Sequence, residues 1–199
     1  WPNGLAKRRD WRLHALSGNV ERYGLLLALG GGEVNLLSLT TAYAALADGG
    51  RWRPVVFTMT EKSPASLRTR QVFSPGAAFL VTDILSDPQA RVTGFGRYNI
   101  LDTPYASAVK TGTSKSFKDN WCVGYTGGFV VGVWAGTFEA NPMDKVSGIT
   151  GAGTIWRQVS DLPAKAYPTP RFKPPREVVS ALACPVSGLL AGPDCPNRP

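Results

Sequence analysis

"AVKTGTSKSFKDNW", residues 108–121, begins as an extended run and then breaks. Lys110-Thr111-Gly112-Thr113 presents an ammonium, two hydroxyls and a bare backbone, and apolar character resumes at Trp121-Cys122-Val123-Gly124-Tyr125. Working outward, residues 105–111, 121–126 and 129–135 are three strand candidates, the last two joined at Thr126-Gly127-Gly128, a connection short enough for an antiparallel hairpin. The runs "WCVGYT" and "FVVGVWA" are apolar at successive positions instead of alternating, which predicts a sheet covered on both faces by helices.

Helical periodicity supplies those covers. In "LALGGGEVNLLSLTTAYAALADGG" a glycine loop leads into a helix with Asn35 as N-cap, Leu36, Leu39, Tyr43, Leu46 and Ala47 on one face, and Gly49 as the stop. In "SPGAAFLVTDILSDP" Ser74 caps, Pro75 takes the first helical position and Pro88 lies past the end; Ala77, Leu80, Val81, Ile84 and Leu85 form the expected packing stripe. "RWRPVVFTMT" reads as a short strand or extended connection, and "AGTIWRQVSDLP" as a final helix capped by Thr154 and ended near Pro163. The expected fold is α+β: three adjacent antiparallel strands with helices packed on the sheet. Residues 1–162 make the main unit, 163–178 a Pro-rich basic linker, and 179–199 the start of a small C-terminal domain. A chain opening on Trp-Pro-Asn-Gly reads as the middle of something, so further strands of the sheet are expected upstream.

Composition narrows the function classes. At 199 residues and 43% hydrophobic, the chain can bury one domain core, which excludes disorder of the whole. Its net charge of +8 gives a basic surface that could meet nucleic acid, anionic lipid or an anionic polymer. Without zinc-finger spacing, a glycine-rich phosphate loop or the aromatic strand signature of an RNA reader, nucleic acid is not an expected partner. No run of 18 apolar residues and no export signal is present, so any membrane attachment is expected through an N-terminal anchor outside these residues. The basic run Lys7, Arg8, Arg9 and Arg12 reads as solvated surface.

Of the three cysteines, Cys122 lies in a strand run with no histidine beside it and reads as a small buried hydrophobe. Cys184 and Cys195 are separated by ten residues and suit either a disulfide in an oxidising compartment or two thiols. The sole histidine, His14, has no clustered ligand around it, and no metal or organic cofactor is expected. Trp121, Tyr125, Phe129 and Trp134 read as sheet-packing aromatics. Asp119 reads as a loop anchor through Lys115 or Lys118, or as solvated, and Glu33 as an electrostatic aid to the helix it precedes.

The break in the strand has a chemical reading. At a sheet edge beside a cleft, Lys110 offers a compact cation, the hydroxyls of Thr111 and Thr113 offer donors, and Gly112 lets another backbone approach. Together these suit an extended peptide ending in a carboxylate, lying against the edge as an added strand. The Thr113 N–H would then face a carbonyl oxygen and stabilise the charge that develops there during acyl transfer. The bland alternative is an exposed Gly-Thr turn with a solvated lysine.

"KTGTSKSFKDNWCVGYTGGFVVGVWAG" resembles the third conserved box and following hairpin of the transpeptidase domain in bifunctional class A penicillin-binding proteins. "LALGGGEVNLLSLTTAYAALADGG" is similar to the stretch between that family's second and third boxes, and the tail "CPVSGLLAGPDCP" resembles the 1C branch. The resemblance covers residues 24–196 and implies the C-terminal part of a serine D,D-transpeptidase. Such an enzyme opens the D-Ala-D-Ala bond of a peptidoglycan stem peptide, forms an acyl-enzyme and passes the acyl group to an amine. It implies roles for Lys110 in orienting hydroxyls and attracting the substrate carboxylate, for Thr111 and Thr113 in carboxylate binding, for Gly112 in close approach, and for the Thr113 N–H as half of an oxyanion hole. Stem peptides and beta-lactams are the implied ligands, and the periplasmic side of the bacterial inner membrane the implied location.

The family's nucleophile belongs to a Ser-x-x-Lys at the start of a helix, assisted by a Ser-x-Asn. Ser107-Ala108-Val109-Lys110 matches the first pattern on an expected strand, where about 3.3 Å per residue holds the two ends roughly 10 Å apart. Ser17-Gly18-Asn19 matches the second but lies too near the glycine loop that follows. Both boxes, together with a glycosyltransferase domain and anchor, are therefore expected upstream, and this chain alone is expected to be inactive. A soluble beta-lactamase shares the third box, but the tail and the connecting segment count against it. A non-catalytic cell-wall-binding or scaffold fragment is the alternative from another class.

Overall fold

A computed structural model describes residues 24–58, 69–192 and 195. The basic run at 7–12, His14 and Ser17-Gly18-Asn19 lie outside the described residues. Helix α1 (Leu36–Ala47) starts where the Asn35 side chain accepts the Ser38 N–H at 2.8 Å. It stops ahead of Gly49 and Gly50, whose φ values of +61° and +85° lie in the left-handed region that ends helices. The two-residue strands β1 (Arg51–Trp52) and β2 (Arg70–Gln71) pair antiparallel. Helix α2 (Pro75–Ser86) has the expected Ser74 cap, whose hydroxyl accepts the Ala77 N–H. Pro88 does more than lie beyond it: with Asp87 capping through the Gln89 N–H, it opens a separate helix, α3 (Pro88–Phe95).

The main sheet follows as β3 (Ala108–Thr113), β4 (Asp119–Tyr125) and β5 (Val130–Gly136), antiparallel and in chain order. Thr126 closes the second hairpin, its hydroxyl accepting the N–H groups of Gly128 and Phe129. The alternation of a strand assigns the two faces. Val109, Cys122 and Val133 form one core with Leu101 and with Ala152 and Trp156 of helix α4 (Ala152–Asp161). On the other face Tyr125 is buried, its ring edge-on to Tyr43 of α1 and its hydroxyl 2.8 Å from that of Thr82 in α2. Both faces are covered by helices, as the unbroken apolar runs require.

Three expectations are corrected. The stripe assigned to α2 is its outer face: Leu80 and Ile84 are 52% and 66% exposed, while Gly76, Ala78 and Thr82 are buried. Small residues let this helix approach Tyr125, and periodicity alone does not say which side of a helix meets the sheet. Thr154 does not cap α4 but bonds back to the Thr150 carbonyl from inside the helix. Turn bonds from Gly151 N–H to Ser147 and from Gly153 N–H to Gly148 start the helix earlier. Asp119 pairs with neither Lys115 nor Lys118; it accepts the indole N–H of Trp134 at 3.0 Å. That indole in turn packs against the tilted ring of Trp121.

After α4 the Pro-rich segment lies along the domain. Pro168 and Pro170 sit over Gly128 and Gly127, Phe172 packs edge-on to Tyr125, and Glu177 accepts the Gly76 N–H at the start of α2 at 2.7 Å.

Trp156 is seated directly on Gly124, where an added Cβ would lie 2.5 Å from the indole ring. Gly124→Ala is therefore expected to lower stability by about 1–3 kcal/mol through overpacking. Urea unfolding should give a lower midpoint at unchanged slope, and a midpoint equal to the parent's would sink this account of the α4 seat.

Candidate active site

Among the described residues β3 is an outer strand of its sheet, so one of its edges meets no other strand. Which backbone groups face that edge follows from one bond: the Ser114 N–H donates to the Asp119 carbonyl at 2.9 Å, so residue 114 points toward β4. Main-chain groups alternate sides along an antiparallel ladder. Gly112 and Lys110 then also point inward, and the N–H and C=O groups of Thr111 and Thr113 point to the open edge. The exposed Lys110 ammonium donates to the Thr111 carbonyl, an acceptor that an added strand would otherwise use.

The side chains divide differently. Lys110 and Gly112 belong to the face that carries Trp121 and Tyr125, and Thr111 and Thr113 to the face of α4. Thr113 is held from that side, its Oγ1 accepting the Gly148 N–H at 2.8 Å, which leaves the hydroxyl proton to donate elsewhere. Thr111 Oγ1 makes no hydrogen bond among the described residues. Gly148 can take this place only as glycine, because a Cβ there would run into the Gly112 carbonyl and lie 3.1 Å from the Trp121 carbonyl oxygen. Gly148 carries no mark of this role in its local sequence beyond a passage rich in glycine, and the contact joins positions 35 residues apart.

Gly112 stands apart from the other glycines of the sheet. A Cβ at Gly124 would meet Trp156, and one at Gly132 would collide with the Thr40 hydroxyl of α1. A Cβ at Gly112 would find its nearest neighbour, the Trp121 Cβ, at an ordinary 3.5 Å, and the residue does not adopt a positive φ. Packing among the described residues does not ask for a glycine there.

The remaining nucleophile candidates are turned away from Lys110. Ser107 is buried just ahead of β3 with its hydroxyl 2.8 Å from that of Thr103, so Ser107 and Lys110 do not assemble a Ser-x-x-Lys pair. Burial pushes the Cys122 thiol up to about 12 despite the opposing influence of Lys110, which keeps it protonated and inert. A cavity of about 480 Å³ lined by Arg91, Asp102, Tyr105, Ser107 and Phe172 reaches none of residues 110–113. No cluster of metal-ligating side chains occurs among the described residues, and no helix among them is long and apolar enough to cross a membrane.

Known proteins resemble this chain in sequence and in fold. Residues 4–144 match the family described as penicillin binding protein transpeptidase domain. Penicillin-binding protein 2D of Bacillus subtilis (strain 168) is 30% identical over 183 residues, 85% of this chain and 26% of that protein. Penicillin-binding protein 1C of Escherichia coli (strain K12) is 27% identical over 180 residues, 90% of this chain and 22% of that protein. The crystal structure of penicillin-binding protein 1A from Haemophilus influenzae has the same fold, with a TM-score of 0.61 at 18% identity over 85% of this chain and 32% of that one. The chain thus spans about a quarter of the length of the curated relatives it matches. On the family match across residues 4–144 and the shared fold, this chain belongs to the penicillin-binding protein transpeptidase domain family.

Proposed function

We propose that this chain supplies the Lys-Thr-Gly wall of a peptidoglycan D,D-transpeptidase whose nucleophilic serine lies outside the described residues. The observation that carries the reading is the edge of β3 left open among the described residues, toward which the main-chain groups of Thr111 and Thr113 turn, beside a glycine that packing among those residues does not require. A stem peptide would lie along that edge as an added strand, exchanging main-chain hydrogen bonds with it. Its terminal carboxylate would meet the Lys110 ammonium and the hydroxyls of Thr111 and Thr113. Gly112 would let the peptide backbone come close.

In the first half-reaction the serine oxygen attacks the carbonyl carbon of the penultimate D-Ala and its proton passes to a base. The carbonyl oxygen gains negative charge, to which the Thr113 N–H donates, and collapse of the adduct expels the terminal D-Ala as an amine. In the second half-reaction an amine of a neighbouring stem peptide attacks the serine ester and releases the serine. A beta-lactam enters by the same first step but stays attached, because its leaving amine remains tethered in the opened ring. The parent protein would carry Ser-x-x-Lys, Ser-x-Asn, a glycosyltransferase domain and an N-terminal anchor, and would work on the periplasmic side of the inner membrane.

Intact mass before and after exposure to a beta-lactam tests the division of labour. The protein with its whole transpeptidase domain is expected to gain one antibiotic mass and residues 1–199 alone to gain none. An adduct on the shorter chain would overturn the assignment of the nucleophile and redirect it to Ser17 or Ser107.

Gly112→Ala in the whole domain separates binding from folding. Stability should hold or rise by about 0.5–1 kcal/mol, as for an alanine replacing a strand glycine. The beta-lactam acylation rate should fall by roughly tenfold or more, the size of about 1.4 kcal/mol lost to steric opposition. Lys110→Gln should cost about 10²–10³-fold by removing a preorganised charge. An unchanged acylation rate in both variants would remove β3 from the site.

A further inference from the structure

The described residues beyond 178 fold without a core of their own. Ala183 and Leu190 form an antiparallel bridge, the Cys184 N–H donates to the Leu189 carbonyl at 2.7 Å, and the Gly188 N–H donates to the Cys184 carbonyl at 2.8 Å. Gly188 turns the chain at φ +72°. Among the described residues from 179 to 192 only Cys184 is buried, and Leu182, Val186, Leu189 and Leu190 are between 61% and 79% exposed. A turn of this size with so little buried apolar surface does not offset the entropy of ordering its backbone, and small units of this kind depend on a covalent or metal staple. Among the described residues no cluster of metal-ligating side chains surrounds the thiol, so the covalent staple is the one to consider.

The second sulfur is already in place. The Cys195 N–H donates to the Gly192 carbonyl at 3.2 Å, which folds the chain back so that the Cys195 thiol donates a hydrogen bond to Cys184 Sγ. We propose that Cys184 and Cys195 are a modification site, oxidised to a disulfide that staples the tail by a protein or small-molecule disulfide acting as oxidant.

The surroundings of Cys184 suit it for the first step. The hydrogen bond from Cys195, followed by those from the Ser187 backbone and hydroxyl and the Val186 backbone, lowers its thiol to about 6, so the thiolate prevails at neutral pH. That thiolate attacks one sulfur of the oxidant's disulfide and expels the other as a thiolate. Cys195 then gives up its proton and attacks Cys184 Sγ in the mixed disulfide, expelling the second oxidant sulfur. One protein disulfide forms, the oxidant's disulfide is reduced to a dithiol, and the two protons from the cysteines end on the oxidant's sulfurs. Cys122, buried and held protonated, takes no part.

The test is made on the full-length protein exported to an oxidising compartment, quenched in acid, alkylated without reductant, digested and weighed. A peptide pair joined between residues 184 and 195, lighter by two hydrogens than the dithiol and unalkylated, is the expected result. Alkylation of both cysteines without reductant, or a bridge from either to another cysteine, overturns the proposal. Reduction, or Cys184→Ser with Cys195→Ser, should speed proteolytic cleavage within residues 179–195 by roughly tenfold or more. Equal cleavage of oxidised and reduced tails overturns the staple. None of these readouts depends on acylation, so the outcome is independent of the transpeptidase reading.

Discussion

The position of β3 depends on one contact at the centre of the sheet, the indole of Trp156 lying on the bare backbone of Gly124. A side chain there would hold α4 away, and the helix would lose its register against Val109, Cys122 and Val133. Because the contact is made by a rigid ring on a strand, it fixes translation as well as distance. Everything that α4 carries at its two ends is placed by it.

Those ends reach the two ends of β3. At the start of α4 the Gly148 N–H fixes the Thr113 hydroxyl. Toward its finish, Arg157 donates to the Asp102 carbonyl at 2.6 Å and through Nε to the Asp161 carboxylate, which in turn accepts the Tyr105 hydroxyl at 2.9 Å. Burial, reinforced by Asp161, raises the Tyr105 pKa and keeps that phenol a donor. The Arg157 to Asp161 pair is partly exposed and contributes little by itself. Its worth is geometric, since the same guanidinium ties the main chain just ahead of β3. The strand is thus splinted at entry and exit by one helix, while its outer edge meets no other strand among the described residues.

What could be read from the sequence was local or periodic. Asn35 and Ser74 announced their helices because a cap is a bond across three residues, and the hairpins announced themselves through glycine and unbroken apolar runs. The Lys-Thr-Gly-Thr segment was legible as a chemical oddity on a strand. The side of α2 that meets Tyr125 was not legible, because a helix with Leu80 and Ile84 on one side and Ala78 and Thr82 on another has two plausible inner faces. A reader weighing hydrophobicity chooses the larger residues, whereas close approach selected the smaller ones. Asp119 with Trp134, Gly148 with Thr113 and Glu177 with Gly76 are pairs of distant positions, whose partners are set only once the chain has folded.

An open strand edge is a hazard as well as an opportunity, because unpaired N–H and C=O groups recruit other chains. A lysine whose ammonium covers an edge carbonyl is one of the ordinary defences, so Lys110 alone does not distinguish a guarded edge from a binding edge. Gly112 bears on that distinction. A glycine within a strand weakens it, guards nothing, and is tolerated where another backbone must come near. Gly124 and Gly132 have such neighbours within the fold, Trp156 and Thr40, whereas among the described residues the space at Gly112 holds only an ordinary contact with Trp121. Under the proposed function that space would admit the backbone of a stem peptide lying along β3, which is why the proposal leans on Gly112 more than on Lys110.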